Sequence, residues 1–184
     1  MRVAEQLRKT NIAEYLIYMW QVEDLLRANH CDMDQVRQNI LPAFAEADRA
    51  AEDKWLSELC NMMLTEGVTE RGHLQINKNV LSELTDLHLA LLASPKFPFY
   101  SAAYYNALPF IVELRGKEGD EVLPEIETCF NALYGELMLK LQKKPIGEET
   151  QRALRSISKM VAMLAQYYAD ERSGKLKMND DDTD

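Results

Sequence analysis

Residues 11–29 read NIAEYLIYMWQVEDLLRAN, and this stretch decides the fold class. Its apolar positions are Ile12, Leu16, Met19, Val22 and Leu26. They recur every three or four residues, so they share one side of an α-helix. The stretch therefore predicts an amphipathic helix, which we expect to span roughly Val3–Asn29.

The same period continues along the chain, interrupted by glycines, prolines and polar turns. It predicts six further helices, over 32–42, 46–67, 74–94, 98–116, 124–141 and 148–172. Asp32 and Gln35 have the spacing of a capping box, and Pro109 is expected to kink the helix that contains it. No alternating strand pattern interrupts this series. The sequence thus predicts an all-α, single-domain bundle of six or seven helices over 1–172, followed by an acidic, disordered tail over 173–184.

Composition and charge exclude several functional classes. The chain has 184 residues, 47% of them hydrophobic and 28% charged, with a net charge of −9. Such an acidic protein is repelled by nucleic acid and by anionic lipid, so binding to either is not expected. The longest uncharged stretch, Phe97–Val112, is shorter than the roughly 20 residues that span a bilayer. With no apolar leader at its start, the chain is predicted to be a cytoplasmic protein.

The sequence offers no recognisable catalytic or metal-binding motif. Cys31, Cys60 and Cys129 are an odd number and lie far apart, which argues against a disulfide framework. Glu70 and His73 form a single Glu-x-x-His pair, whereas a di-iron bundle requires two such pairs and further carboxylates. No nucleophile elbow is present. We therefore predict no metal, no cofactor and no catalytic residue, and an enzyme is the less favoured interpretation.

Polar residues that lie close to the apolar helix faces are the one functional signal. If they point inward, each needs a hydrogen-bond partner, because an unsatisfied buried group costs about 1–3 kcal/mol. They could bond one another and fix the packing of the helices, or they could line a cleft for a small polar ligand. The candidate pocket residues are Tyr18, His88, Tyr105, Glu113, Asn131 and Tyr134.

Four long segments carry a resemblance to a known family. They are NIAEYLIYMWQVEDLLRAN, VTERGHLQINKNV, SPKFPFYSAAYYNALPFIVELR and PEIETCFNALYGELMLKLQKK. Together they resemble an uncharacterised bacterial family of small all-helical domains of unknown function, over about Glu5 to Gln166. The resemblance implies a compact helical domain and brings no activity, cofactor or site residue.

Two functional hypotheses follow. The first is a non-enzymatic interaction or regulatory module that binds a protein partner or associates with itself, for example as a homodimer. An exposed apolar patch, for example around Trp20, Tyr167 and Tyr168, would favour it. The alternative is a small-molecule-binding protein or unusual enzyme that uses the candidate pocket.

Overall fold

The structure is a computed structural model that describes residues 1–117 and 123–176. Within these residues the chain forms eight α-helices, two short 3-10 turns and no β-strand, which confirms the all-α fold class. The helices are α1 (Arg2–Thr10), α2 (Ile12–Ala28), α3 (Met33–Asn39), α4 (Arg49–Glu66), α5 (Gln75–Ala93), α6 (Pro98–Arg115), α7 (Glu125–Leu141) and α8 (Glu148–Arg172). The 3-10 turns are Leu41–Ala43 and Glu46–Asp48.

The predicted first helix is two helices in the structure, so the helix count exceeds the six or seven expected. Asn11 is not helical, and its side-chain oxygen accepts a hydrogen bond from the backbone N–H of Ala13 at 3.1 Å. This is the bond that an asparagine makes at a helix N-cap, where its short amide competes with the helical backbone. For this reason α1 ends at Thr10 and α2 begins at Ile12.

Asp32 caps α3 and Gly67 ends α4 as predicted, but the capping box does not form, because the backbone N–H of Asp32 bonds the carbonyl of Asn29 and not the Gln35 side chain. Asp32 precedes α3, and its carboxylate accepts a bond from the backbone of Asp34 at 2.9 Å and from the Gln35 amide at 3.2 Å. Gly67 follows α4 with φ of 69°, in the left-handed region that glycine adopts without strain. Local side-chain chemistry therefore sets where α3 begins and where α4 ends.

Contacts between α-carbons divide the chain into two units, which are described separately. The first unit contains Met1–Thr10 and Glu14–Val80, and the second contains Asn11–Ala13 and the chain from Leu81 onward. The assignment of 1–172 to one domain stays a prediction. The acidic tail predicted for 173–184 lies outside the described residues from position 177 onward.

The core of the first unit comes mainly from α2 and α4. Large apolar side chains at helical spacing on both helices are almost fully buried, as the period-3.6 pattern predicts. α3 packs against α4 through the fully buried Val36 and a surface ion pair between Arg37 and Asp53 at 2.8 Å. The core includes Leu16, Met19, Trp20, Leu26, Leu56, Leu59, Met63 and Leu74.

In the second unit α6 lies against both α7 and α8, which also contact each other. α6 continues through Pro109 to Arg115 as one helix. No helix in the described part of the chain is long and apolar enough to cross a membrane. The most buried large side chains of this unit are Leu84, Leu91, Tyr100, Ile111, Ile126, Phe130, Ile157, Met160 and Leu164.

Candidate functional site

α6 has one buried face and one exposed apolar face. The buried face consists of Tyr100, Ala103, Ala107 and Ile111. On the other side Phe99 is 80% exposed, Tyr105 65% and Val112 58%. Ala102 and Pro109 are exposed as well, and all five recur at intervals of three or four residues, so they form one stripe along the helix. We call this stripe the α6 outer face: Phe99, Ala102, Tyr105, Pro109 and Val112.

A groove of about 600 Å³ adjoins the first half of the α6 outer face. Its walls come from the end of α5, the turn that follows and the first two turns of α6. One turn earlier on α5, Leu89 is 58% exposed, which extends the apolar surface along that helix. The apolar lining of the groove comes from Leu92, Ala93, Pro95, Pro98, Ala102 and Tyr105.

Inward-facing side chains of α6 form a hydrogen-bonded cluster with α5 and α7. Nδ1 of the buried His88 of α5 forms a hydrogen bond with the Tyr100 hydroxyl at 2.6 Å, and its Nε2 lies 3.8 Å from a carboxylate oxygen of Glu125. The Tyr104 hydroxyl donates to Glu125 at 2.9 Å, and Arg115 donates to the other carboxylate oxygen at 3.4 Å. The cluster therefore ties the start of α7 to α5 and α6.

Burial shifts the pKa values of this cluster in directions that suit its hydrogen bonds. It lowers the pKa of His88, although nearby Glu125 acts in the opposite sense. It raises the pKa of Tyr100 strongly, and together with the bond to Glu125 it raises the pKa of Tyr104 to about 12. At neutral pH the imidazole is neutral and both phenols keep their protons, so each phenol can donate. Among the described residues, Nε of Arg115 is the cluster's one buried side-chain nitrogen without an acceptor.

The six predicted pocket residues differ widely in exposure and position. Tyr18 is half-buried and lies in the first unit, whereas the other five lie in the second. His88 is buried, Tyr134 is half-buried, and Tyr105, Glu113 and Asn131 are exposed. Tyr105 lines the groove beside the α6 outer face. Glu113 forms an exposed ion pair with Lys117 at 2.5 Å. Their use as a common pocket stays a prediction.

Four residues of the His88 cluster are missing from the predicted set: Tyr100, Tyr104, Arg115 and Glu125. Tyr104 stands edge-on to His88, with 5.1 Å between ring centroids, and Glu125 bonds Tyr104. Helical spacing carries the signal for Tyr104, because it lies four residues after the buried Tyr100 and so shares its side of α6. Glu125 has no such signal, because only the tertiary structure brings the start of α7 to this cluster.

The first unit contains a second polar cluster, which is centred on the fully buried Glu23 of α2. Its carboxylate accepts bonds from the backbone N–H of Leu74 at 3.0 Å, from the Asn77 amide at 2.7 Å and from Nδ1 of His73 at 2.6 Å. The Arg27 guanidinium lies 3.7 Å away. These hydrogen bonds replace the ones that a buried carboxylate would otherwise make with water. Because Leu74 and Asn77 lie at the start of α5, Glu23 also caps this helix from α2.

The Glu23 cluster changes how His73 is interpreted. The carboxylate that His73 bonds is Glu23, not Glu70, and the imidazole stacks on Trp20 with 4.1 Å between ring centroids. Because a carboxylate only accepts, Nδ1 of His73 carries a proton. Residues 1–117 and 123–176 contain no group of three or more His, Cys, Asp or Glu side chains that could hold a metal ion.

Trp20, Tyr167 and Tyr168 do not form an exposed apolar patch, because Trp20 and Tyr168 are buried and Tyr167 is half-buried. Trp20 is 1% exposed in the first unit and Tyr168 6% in the second, because both belong to the interior packing. The Tyr168 hydroxyl donates to Glu83 at 2.6 Å, and Arg172 lies over its ring at 4.9 Å from the centroid. Among the described residues of the second unit, the exposed large apolar side chains are Phe99, Tyr105 and Val112 of the α6 outer face, together with Leu89 and Leu141.

Comparison with known proteins places the chain in a family without giving it an activity. No curated protein and no solved structure matches the sequence. A family model described as "Domain of unknown function (DUF4924)" matches residues 1–175, nearly the whole chain. The protein therefore belongs to the DUF4924 family of domains of unknown function.

Proposed function

We propose that this protein is a non-enzymatic helical interaction module, and that its α6 outer face binds a second copy of the same chain. The observation that carries the proposal is the exposure of Phe99, Tyr105 and Val112 along one side of a single helix. Isolated exposed apolar residues are ordinary, but a continuous apolar stripe beside a groove is typical of a protein-binding surface.

The size of the surface supports a dimer. At 80% and 65% exposure, Phe99 and Tyr105 alone present roughly 200–350 Å², given about 150–250 Å² for a whole aromatic side chain. The rest of the stripe, the groove and Leu89 add to this area. A stable dimer buries about 800 Å² on each partner, which an 18-residue helix and the groove beside it can supply.

Charge favours this face for self-association over the rest of the molecule. The chain carries a net charge of −9, so two copies repel each other over most of their surfaces. The stretch Phe97–Val112 contains no charged residue. Two copies that meet along it bury apolar area and bring no like charges into contact.

The spacing of the stripe is self-complementary. If two copies of α6 pack antiparallel about a two-fold axis, Phe99 of one copy lies opposite Val112 of the other, and Ala102 lies opposite Pro109. The two Tyr105 rings then meet near the axis. An interface in which the same patch serves both partners is the usual arrangement of a homodimer.

The hydrogen bonds of the His88 cluster favour this proposal over the alternative, a small-molecule-binding protein or enzyme with a tyrosine-lined pocket. Tyr100, His88, Tyr104 and Glu125 bond one another, as expected of groups that fix helix packing. We also propose a cytoplasmic location, which the free Cys31, Cys60 and Cys129 support, because thiols persist in reducing compartments. A bacterial origin stays a prediction of the family resemblance.

Sedimentation velocity of the full chain over a dilution series tests the proposal. We expect a dimer for the wild-type protein and a monomer for Tyr105→Glu, because two carboxylates would meet at the two-fold axis. Leu64→Glu is the matched control, since Leu64 is 57% exposed on α4 in the first unit and should leave the dimer intact. A wild-type protein that stays monomeric, or a Tyr105→Glu protein that still dimerises, would overturn the proposal.

A further inference from the structure

One side of α8 carries a row of exposed basic side chains. Arg152, Arg155 and Lys159 lie three and four residues apart, so they share one side of the helix. We call this row the α8 basic stripe: Arg152, Arg155 and Lys159. Among the described residues no carboxylate lies within ion-pair distance of the stripe, whereas Lys140 on α7 is paired with Glu136 at 2.6 Å. The stripe is therefore open to an acidic segment.

The charge of this region is opposite to that of the chain as a whole. Residues 140–159 contain six basic and two acidic side chains, whereas the whole chain has a net charge of −9. A positive surface on an acidic protein attracts acidic segments. Residues 180–184 contain four aspartates and no basic side chain, and no other five-residue segment of the chain is as negative. This segment is therefore the part of the chain whose charge best complements the stripe.

The chain turns back directly after α8 ends at Arg172. Gly174 has φ of 72°, in the left-handed region that glycine adopts without strain. The backbone N–H groups of Lys175 and Leu176 then both bond the carbonyl of Asp170, at 2.8 and 3.0 Å. At residue 176 the chain has therefore returned to the level of Asp170, and the acidic segment begins four residues later.

Asp170 lies on the same side of α8 as the basic stripe. An α-helix has about 3.6 residues per turn, so Arg152 precedes Asp170 by about five turns and Lys159 by about three. Along the helix axis Lys159 lies about 16 Å from Asp170, at about 1.5 Å per residue. Arg155 lies about 22 Å and Arg152 about 27 Å from it. The chain thus leaves the end of α8 in line with the stripe.

The residues beyond Leu176 are long enough to reach the stripe. A fully extended chain advances about 3.3 Å per residue, so Asp180 can lie up to about 13 Å beyond Leu176, and Asp184 up to about 26 Å. The stripe occupies the range from about 16 to about 27 Å along the same helix. The span of the four aspartates therefore matches the span of the three cations.

We propose that the α8 basic stripe binds the acidic segment 180–184 of the same chain. Each exposed ion pair contributes only about 0.2–1 kcal/mol, but the short connection gives the segment an effective concentration in the millimolar range at the stripe. The contact forms at low ionic strength and is lost when salt screens the charges. While it is formed, any other acidic molecule that binds the stripe must first displace the segment.

NMR spectroscopy of the isotope-labelled full chain tests the contact. The tail variant replaces Asp180, Asp181, Asp182 and Asp184 with asparagine. At about 0.01 M salt, where the Debye length is about 30 Å, we expect the backbone amide signals of the stripe to differ between wild type and tail variant. At about 1 M salt, where this length is about 3 Å, the two sets of signals should coincide. Asp34→Asn is the matched control, because Asp34 is exposed on α3 in the first unit. Stripe signals that stay unchanged in the tail variant, or that change as much in Asp34→Asn, would overturn the proposal.

Cross-linking with a carbodiimide distinguishes the chain's own segment from that of a second copy. The reagent joins a carboxylate to an amine that it contacts, and Lys159 supplies the amine of the stripe. In a mixture of labelled and unlabelled chains, we expect the peptides that join Lys159 to 180–184 to be fully labelled or fully unlabelled. Peptides of mixed labelling would show that a second copy supplies the segment. A single-stranded RNA oligomer that binds the wild type as tightly as the tail variant would show that the segment does not occupy the stripe. Either result would overturn the proposal.

Discussion

Replacing Glu23 with leucine is expected to destabilise the first unit severely. The substitution keeps a side chain of similar length but removes the acceptor for the backbone N–H of Leu74 and for the Asn77 amide, both of which are buried. Each buried donor left without an acceptor costs about 1–3 kcal/mol. His73 loses its partner as well, so we expect a loss of about 3–5 kcal/mol in the free energy of unfolding.

Glutamine at the same position should cost less. Its carbonyl oxygen can still accept from Leu74 and Asn77, while its NH₂ group can donate to His73 if the imidazole changes tautomer. We expect a loss of about 1–2 kcal/mol, which corresponds to one weakened charge-assisted bond. The difference between leucine and glutamine thus isolates the acceptor role of Glu23 from its negative charge.

Tryptophan fluorescence during urea unfolding measures this effect in the first unit alone. The chain has two tryptophans, Trp20 and Trp55, and both lie within Glu14–Val80. Glu58→Leu is the matched control, because Glu58 is 60% exposed on α4 and its pair with Lys54 is 3.9 Å long, so the change should stay within about 0.5 kcal/mol. If Glu23→Leu unfolds at the same urea concentration as Glu58→Leu, Glu23 gives no net stabilisation and the reasoning is wrong.

Two further predictions concern pH and backbone conformation. Burial lowers the pKa of His88 below its ordinary value of 6.5. As the pH falls, His88 therefore binds a proton in the unfolded chain before it does so in the folded chain. The stability that neutral His88 provides is lost as the pH falls below about 6.5. We expect His88→Gln to flatten the fall in urea midpoint between about pH 7 and pH 5, measured by circular dichroism, and an unchanged slope would contradict this. Gly67→Ala forces alanine into a left-handed conformation and should lower the free energy of unfolding by about 1 kcal/mol. Gly135→Ala, inside α7, places a β-carbon where no atom lies within 4 Å and should raise the free energy of unfolding by at most about 1 kcal/mol. Equal shifts in the two thermal melts would refute the backbone argument.

Much of the fold is readable from sequence because local chemistry sets it. α8 has the predicted bounds, and Gly67 ends α4 as expected of a glycine C-cap. The pattern does not predict the break at Asn11, because the apolar period continues across it. A single hydrogen bond, from the backbone N–H of Ala13 to the Asn11 side chain, separates α1 from α2.

The polar clusters were only partly predictable, because their partners are distant in the sequence. The helical period predicts His88 as a polar residue on an apolar face, and His88 is buried. Glu23 and His73 lie on different elements, and no local pattern relates them. Periodicity tells which side of a helix a residue occupies, but not which other helix will meet it.

Pro109 lies inside α6, and this affects the hydrogen bonds that any molecule covering the α6 outer face must make. Proline has no backbone N–H, so the carbonyl of Tyr105, four residues earlier, lacks its usual helical donor. Both residues are exposed, and a partner that covered this carbonyl without offering a donor would lose about 1–3 kcal/mol. In the proposed antiparallel pair of α6 helices, Tyr105 and Asn106 of the second copy lie near this carbonyl, and both side chains carry a donor. If the proposed pair forms, the missing N–H favours a register that brings one of these donors to the carbonyl of Tyr105.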